Sequence, residues 1–259
     1  MARSHALRAT LRHTADALVA VTLAPCCAAC ARVLAAPLDG PVCTACWAAV
    51  RALVPPYCRT CGDSLPSWRV VGVATGQCPR CRRRPGAVDA GRAAGEYEGA
   101  LREIIHAMKY DGRRLLARPL GAMMRAAGSD LLRDAACVVP VPLHPWRRMR
   151  RGFNQATDLA RQLEGPVVHA LWRTRATLPQ TRLTGAARRR NVRRAFTLSP
   201  LLARAVRRRH LAGRVVVLVD DVRTTGATLD ACAAVLKAAG AQEVRALTVA
   251  RAAPPRRSS

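Results

Sequence analysis

One segment of the sequence, residues 215–229, constrains the fold more than any other. It opens with five consecutive branched apolar residues, a run that is typical of a strand buried on both faces of a parallel sheet. Asp220 and Asp221 follow at the carboxyl end of that strand, where open α/β folds bind their ligands. The alanine-rich run after Leu229 has helical spacing, so the segment predicts a strand, a ligand-binding loop and a helix in succession.

The loop between this strand and helix has the composition of an anion-binding site. Thr224, Thr225 and Thr228 provide hydroxyl groups next to the first amides of the predicted helix, which lack intrahelical partners and carry the positive end of the helix dipole. Gly226 lets a phosphate approach the backbone, and the two preceding carboxylates can accept hydrogen bonds from a vicinal diol. The loop therefore predicts a ribose 5-phosphate site. An ordinary helix cap is the alternative, but a cap does not require two acids and three threonines.

Cysteine spacing predicts a metal-binding module near the start of the chain. Eight of the 11 cysteines form four pairs with two residues between the partners: Cys27/Cys30, Cys43/Cys46, Cys58/Cys61 and Cys78/Cys81. Two such pairs supply the four thiolates of one tetrahedral zinc site, so four pairs predict two structural zinc ions. Sequential and interleaved pairing both remain open, as does Cys26 in place of Cys27. Disulfides are the less favoured alternative, because pairs spaced so closely are more typical of metal knuckles.

The charge of the chain favours phosphate-rich ligands. There are 43 basic and 16 acidic residues, a net charge of +27, and only Lys109 and Lys237 are lysine. Arginine binds phosphate through a bidentate fork, and nucleic acid binding depends on the same charge. The densest arginine groups lie at 147–151, 188–194 and 204–214. Arginine and alanine are abundant throughout, which is also typical of a solvated surface, and an aromatic content of 3% argues against a base-stacking platform.

Two basic segments are candidates for contact with the rest of a phosphorylated substrate. The first follows a predicted strand at 136–141, where a proline-stiffened turn leads to an arginine group and then to a helix beginning at Gly152. These arginines, which predict a pyrophosphate loop, are Arg147, Arg148, Arg150 and Arg151. The second, between Thr174 and Phe196, has no strand pattern and predicts a flexible flap over the substrate. Its candidate residues are Gln180, Arg188 and Asn191. A solvated arginine-rich loop is the alternative for both segments.

Strand and helix patterns alternate after residue 85 and predict an α/β fold with a doubly wound, mostly parallel sheet. Arg82 to Ala87 marks a boundary. We expect an N-terminal helix in 1–25, a double zinc ribbon in 26–84, the sheet domain in 85–252 and a disordered tail in 253–259. No apolar run is long enough for a transmembrane segment. Because the cysteine module needs reduced thiols, we expect the protein in the cytoplasm.

Together these motifs resemble the ComF family of competence-associated bacterial proteins. The resemblance rests on the cysteine pairs, the run Arg151-Gly152-Phe153-Asn154-Gln155, the segment 180–196 and the acidic pair with its loop. It implies a double zinc ribbon followed by a type I phosphoribosyltransferase-like domain that binds phosphoribosyl pyrophosphate with Mg²⁺. The residues implied for ribose and phosphate binding are Asp220, Asp221, Thr224, Thr225, Gly226, Ala227 and Thr228.

The same resemblance implies a link to natural competence and DNA uptake. Single-stranded DNA and proteins of the competence machinery are the partners it suggests. No residue of the sequence identifies itself as a general base, so the acceptor, and whether the site transfers or only senses its ligand, stay open. A non-enzymatic factor that binds single-stranded DNA and retains the ligand site is the alternative function.

Overall fold

The computed structural model describes residues 2–65, 76–174 and 195–252, with side chains from residue 12 onward. The chain divides into two compact units. One consists of Met1–Arg51 with Glu98–Leu116, and the other of Ala52–Tyr97 with Ala117–Ser259.

The helices of the described residues are α1 (Ala2–Leu23), α2 (Thr44–Ala48), α3 (Pro79–Arg83), α4 (Gly99–Tyr110), α5 (Ala117–Ala127), α6 (Ser129–Leu132), α7 (Pro145–Arg151), α8 (Gln155–Ala160), α9 (Arg204–His210) and α10 (Ala227–Ala238). The strands are β1 (Ala90–Glu96), β2 (Cys137–Pro140), β3 (Leu171–Arg173), β4 (Phe196–Leu198), β5 (Val215–Arg223) and β6 (Glu243–Arg251). Short 3₁₀ helices span Pro37–Asp39 and Arg114–Leu116. None of the helices in these described ranges is long and apolar enough to cross a membrane.

The first unit contains α1, α2 and α4. Asp16 of α1 is buried, and its Oδ1 accepts a hydrogen bond of 2.8 Å from the backbone N–H of Leu38. This bond ties the long helix to the 3₁₀ turn, because a buried carboxylate requires such a donor. The apolar face of α4 is buried at the spacing of an amphipathic helix, at Leu101, Ile104, Ile105 and Met108.

The second unit is built on a four-stranded parallel sheet in the order β1-β6-β5-β2. Val216 to Val219 of β5 are fully buried, because the strand lies between β6 and β2 and both of its faces are covered. One face contributes Val216 and Leu218 to a core that includes Leu229 and Leu236 of α10. The predicted α/β class with a parallel sheet is confirmed. A separate antiparallel pair joins β3 to β4.

The structure contains one strand that the sequence analysis missed and corrects the prediction for the arginine segment. The segment 90–96, which has no apolar β-branched residue, forms β1 because it pairs along β6. The arginine group expected in a loop lies on α7, which begins at Pro145 and ends at Gly152, a residue with φ +75°. Proline at the first helical position and glycine after the last one are ordinary helix boundaries. Gly152 therefore ends one helix, and the next begins at Gln155.

Candidate functional site

The acidic pair lies at the carboxyl end of β5. Asp220 and Asp221 are both half-buried, and the backbone N–H of Asp221 donates to Oδ1 of Asp220 at 2.9 Å. Asp220 pairs in register with Thr248 of β6, and the neighbouring β2 ends opposite Val219. Because the strands are parallel, the segments that follow β5 and β2 leave the sheet at the same edge. The two acids therefore stand where a parallel sheet presents its ligand-binding side chains.

The loop after the acids leads directly into α10. Gly226 has a φ of +79° and occupies the position before the first helical residue, where no side chain caps the helix. Its carbonyl accepts the N–H of Asp230 at 2.9 Å, and the N–H of Ala227 makes a long bond of 3.4 Å to Oγ1 of Thr225. Thr224 is exposed, whereas Thr225 and Thr228 are half-buried. Hydroxyls and helix amides are thus gathered at one turn, which is the local structure of an anion site.

The candidate pyrophosphate segment is anchored to the same sheet edge. The N–H of Val141, directly after β2, donates to the carbonyl of Val219 at 2.9 Å. Asn154 donates from Nδ2 to the carbonyl of Val141 at 3.0 Å and accepts the N–H of Ala156 at its Oδ1, so it caps α8. His144 caps α7 by accepting the N–H of Trp146 at 3.3 Å. These bonds fix both ends of α7, the helix that bears the arginines, close to the end of β2.

The four arginines of α7 differ in exposure. Arg148 and Arg150 are exposed, and Arg147 and Arg151 are half-buried. The predicted flap residues Gln180, Arg188 and Asn191 lie outside the described residues, as does the predicted tail at 253–259.

Two buried arginines of this region were missed by the sequence analysis. Arg173, at the end of β3, lies over the ring of Phe196 and interacts electrostatically with Arg147 and Asp220. Burial is the main cause that lowers its pKa from the ordinary value of an arginine. Arg223 is only 6% exposed. Its position inside the loop motif, between the acids and the threonines, was a signal that could have identified it.

The first cysteine cluster comprises Cys27, Cys30, Cys43 and Cys46. Their four sulfurs lie within 4.8 Å of one another, and the Sγ atoms of Cys30 and Cys43 are 3.9 Å apart. Zinc–sulfur bonds of about 2.3 Å place tetrahedral sulfurs about 3.8 Å apart, so the cluster fits a zinc ion. Burial opposes ionisation of Cys27, but backbone N–H groups of Cys43 and Ala29 lower the pKa of its thiol to about 6.

The second cluster comprises Cys58, Cys61, Cys78 and Cys81, all of them buried. The Sγ atoms of Cys61 and Cys78 are 3.7 Å apart, which again fits tetrahedral zinc. Hydrogen bonds from Cys61 and Cys81 lower the pKa of Cys58, whereas the bond with Cys58 raises the pKa of Cys61. A cation is what allows all four thiols of such a cluster to ionise together.

The structure thus groups the cysteine pairs sequentially and includes Cys27 rather than Cys26, which is exposed. The remaining thiols, Cys137 and Cys232, are fully buried in the sheet unit. Burial raises the pKa of Cys137 to about 12, and burial also raises the pKa of Cys232 well above its usual range. Both therefore behave as core residues.

Comparison with known proteins agrees with this geometry. The family model described as "Phosphoribosyl transferase domain" matches residues 149–258. DNA utilization protein YhgH of Escherichia coli is 32% identical over 185 residues, which cover 67% of this chain and 77% of that protein. Its counterpart in Salmonella typhi is 32% identical over 224 residues, 81% of this chain and 90% of that protein. Competence protein F of Haemophilus influenzae is 29% identical over 221 residues, 82% and 90% of the two chains.

Two solved structures are also similar in part. One is an allosteric regulatory enzyme of purine biosynthesis, with a TM-score of 0.32 and 25% identity over 51% of this chain and 25% of that one. The other is a hypoxanthine phosphoribosyltransferase from Staphylococcus aureus, with a TM-score of 0.30 and 12% identity over 55% and 73% of the two chains.

The parallel sheet, with an acidic pair and a threonine-glycine loop at its carboxyl edge, defines a domain of the phosphoribosyltransferase class. A cysteine-rich region with two four-cysteine clusters precedes the first strand of this sheet in the sequence. The chain belongs to the ComF family of competence and DNA utilization proteins. The family and fold that the sequence motifs suggested are therefore confirmed.

Proposed function

We propose that this protein binds phosphoribosyl pyrophosphate together with Mg²⁺ at the carboxyl edge of its parallel sheet. The observation that carries the proposal is the succession of two half-buried carboxylates and a helix whose N-cap residue is a left-handed glycine, which has no side chain to cap it. Each part matches one part of the ligand: the carboxylates suit the ribose diol, and the helix start with its threonines suits the 5-phosphate.

In this proposal the chain works by positioning its ligand. The bond from ribose C1 to pyrophosphate breaks with oxocarbenium character, so the protein must hold the diol, the phosphate and the leaving group in place. Asp220 and Asp221 hold the ribose hydroxyls, and the arginines of α7 neutralise the departing pyrophosphate. Mg²⁺, which prefers oxygen ligands such as these carboxylates, would offset charge on the pyrophosphate.

Substitution of Asp221 by Asn tests the ribose assignment. The change keeps the size of the side chain and removes one charge-assisted hydrogen bond, so we expect binding of the ligand to weaken by about 1.5–3 kcal/mol. Isothermal calorimetry with phosphoribosyl pyrophosphate and Mg²⁺ measures this difference. Asp111→Asn is the matched control, because Asp111 is exposed at the end of α4. Equal affinity of the Asp221 variant and the unchanged protein would remove the ribose contact from this residue.

Pyrophosphate release distinguishes an enzyme from a sensor. We expect a transferase to release pyrophosphate when Mg²⁺, phosphoribosyl pyrophosphate and the correct nitrogenous acceptor are present together. Incubation with a panel of bases tests this expectation. Binding without release across the panel would favour a protein that senses the metabolite.

Binding of single-stranded DNA is the second candidate function, and one feature of α7 favours it. Trp146 is 58% exposed, and the guanidinium of Arg150 lies 5.6 Å from the centre of its ring. Met149 beside it is also exposed. The low aromatic content argued against a base-stacking platform, yet a single exposed tryptophan among arginines provides both the stacking face and the charge for one.

Trp146→Ala tests the stacking role. Loss of one base-stacking contact is worth about 1–3 kcal/mol, so affinity for an oligothymidylate should fall by about fivefold or more. Trp172→Ala is the matched control. Trp172 is 40% exposed on β3, and its side chain leaves the opposite face of the strand from Arg173. If both variants bind the oligonucleotide equally, α7 has no stacking role.

We place this function in the cytoplasm, where reduced thiols and phosphoribosyl pyrophosphate occur together, with competence-machinery proteins as candidate partners. We also propose that residues 26–84 act as a double zinc ribbon and 85–252 as the ligand-binding domain. The competence and DNA utilization names of the relatives support the choice of competence-machinery proteins as candidate partners.

A further inference from the structure

The carbonyl groups of the phosphate-binding loop are held by arginines. Nη1 of Arg251 donates to the carbonyls of Thr224 and, at 3.1 Å, of Arg223. Nη2 of Arg80 donates to the carbonyl of Thr225. Three consecutive loop carbonyls therefore point toward guanidinium groups.

This arrangement fixes the direction of the loop amides. In a planar trans peptide the carbonyl of one residue and the N–H of the next point in opposite directions. With the carbonyls of Thr224 and Thr225 turned toward Arg251 and Arg80, the N–H groups of Thr225 and Gly226 point away from these arginines. These two amides directly precede the helix start that the proposed function assigns to the 5-phosphate, so the guanidiniums orient backbone donors at the anion site without contacting the ligand.

Both arginines are connected to the second cysteine cluster, Arg80 through its position in the sequence and Arg251 through an ion pair. Arg80 lies between Cys78 and Cys81 on α3. Arg251 forms a two-bond ion pair with Asp63, whose second contact, from Nη2 to Oδ2, is 3.0 Å. Asp63 follows Cys61 by two residues, and its carbonyl accepts the N–H of Cys58 at 2.7 Å. Each of the two knuckles of the cluster therefore reaches the loop, one directly and the other through Arg251.

The space between the cluster and the loop is filled by Arg223. A Cβ atom added to Gly226 would lie 2.8 Å from its Nη2, and one added to Gly91 would lie 3.1 Å from its Nη1 and 2.8 Å from the carbonyl oxygen of Thr60. The knuckle is bonded to β1 here, because the N–H of Gly91 donates to the carbonyl of Arg59 at 2.9 Å. Packing this close transmits a displacement of the knuckle to the loop.

We propose that the second cysteine cluster, through Arg80 and the Asp63–Arg251 pair, is a positioning device for the phosphate-binding loop. A metal ion in this cluster would hold the two knuckles, and the knuckles hold the loop amides in their binding direction. The inference rests on the proposed binding of phosphoribosyl pyrophosphate. It assigns to this cluster, and not to the first, an influence on ligand affinity.

Arg80→Ala is the first test, with Arg82→Ala as its matched control. Both residues are exposed on α3 and both changes remove one positive charge, but it is Arg80 that donates to the loop carbonyl of Thr225. We expect the affinity for phosphoribosyl pyrophosphate with Mg²⁺ to fall by about fivefold or more in the Arg80 variant, which is the usual size of coupling between sites. The control should stay within about twofold, and zinc content and melting temperature should match in both.

Asp63→Asn is the second test, with Asp134→Asn as its control. Asp134 pairs with Arg245, which lies on the same strand as Arg251 but near its other end. Only the Asp63 variant should lose affinity, because the change weakens the ion pair that holds Arg251 at the loop carbonyls. A purely structural contact would instead lower the melting temperature of the Asp63 variant and leave its affinity for the ligand unchanged.

The third test removes one metal ligand from each cluster and compares the effects on ligand affinity. Cys78→Ser should weaken ligand binding, whereas Cys43→Ser in the first cluster should leave it unchanged. If the Cys78 variant does not fold, the Arg80 and Asp63 variants still decide the question. Normal affinity in both of those variants would overturn the positioning role. Failure of the unchanged protein to bind the ligand would instead overturn the proposed function, so the two failures are distinguishable.

Discussion

At the scale of single residues, the loop depends on a glycine that meets two separate demands. Gly226 adopts a positive φ of +79°, which residues with a Cβ atom adopt at a cost. Its Cα also faces the buried guanidinium of Arg223, so that an added Cβ would lie 2.8 Å from Nη2 and 3.1 Å from Nε. Conformation and contact are independent reasons for glycine here, and they can be separated by experiment.

Gly226→Ala should lower the free energy of unfolding by more than the backbone strain alone. Gly213 has a φ of +67° and open space around its missing Cβ, so Gly213→Ala carries the strain without the contact. We expect about 1 kcal/mol for Gly213→Ala and about 2–4 kcal/mol for Gly226→Ala, measured by urea unfolding. Equal costs in the two variants would mean that Arg223 moves aside freely.

At the scale of elements, the two cysteine clusters have similar local geometry but different surroundings. The first lies in the compact unit that contains α1 and α4, and it includes one exposed cysteine, Cys30. The second lies in the unit of the parallel sheet, with all four cysteines buried. A fully buried thiolate cluster cannot lose its metal without unfolding part of the core around it. A cluster with an exposed cysteine can lose its metal by local unfolding alone.

Metal analysis should therefore find about two zinc ions per chain, by the rule of four thiolates per ion. Cys43→Ser should lower the content to about one and create new protease-sensitive sites in the first unit, while the main unfolding transition persists. Cys26→Ser is the control, because Cys26 is exposed and lies outside both clusters. A folded unchanged protein without metal would contradict the assignment of both clusters.

At the scale of the whole molecule, a net charge of +27 dominates long-range interactions. The arginines of α9 are largely exposed, and those of α7 lie at the carboxyl edge of the sheet. If both helices contact one strand of DNA, binding releases counterions and becomes steeply dependent on salt. The arginines of α7 would then be shared between DNA and pyrophosphate, which makes the two ligands competitors.

Affinity for single-stranded DNA should fall linearly with the logarithm of the salt concentration. Replacing Arg204, Arg208 and Arg209 of α9 by Gln should reduce the slope by about 2 units if each contacts one phosphate. Saturating phosphoribosyl pyrophosphate should weaken DNA binding in the unchanged protein. Fluorescence anisotropy across a salt series measures both effects, and a flat dependence on salt would assign the arginine excess to a solvated surface.

The sequence predicted those parts of the fold whose residues have a strong local preference. β5 begins with a run of branched apolar residues that is followed by two acids, and the structure places these acids near the carboxyl end of the strand as expected. β1 was missed because alanine, glycine and arginine have no strand preference of their own. Pairing with β6 decides its conformation, and such long-range pairing is not visible in a local window of sequence.

The candidate site was predicted on the ligand side of the loop but not on its supporting side. The ligand side can be identified from the sequence because its acids, glycine and threonines follow one another in the chain. The supporting residues Arg80, Asp63 and Arg251 lie up to 188 residues away in the sequence from the residues that they contact. No spacing rule connects such residues, and only the packing of the second cysteine cluster on the sheet brings them together.

The central position of β6 has a consequence for how the protein is made. β6 lies between β1 and β5, although it is the last strand of the sheet in sequence. As a ribosome synthesises the chain, β1 and β5 emerge first and cannot join until β6 pairs with both, so two strand edges stay open until late in translation. Arg251, which orients the loop, is the last residue of β6. A nascent chain that stops before this strand therefore has neither a closed sheet nor a formed anion site, and it is a target for proteolysis and aggregation instead of a partly active product.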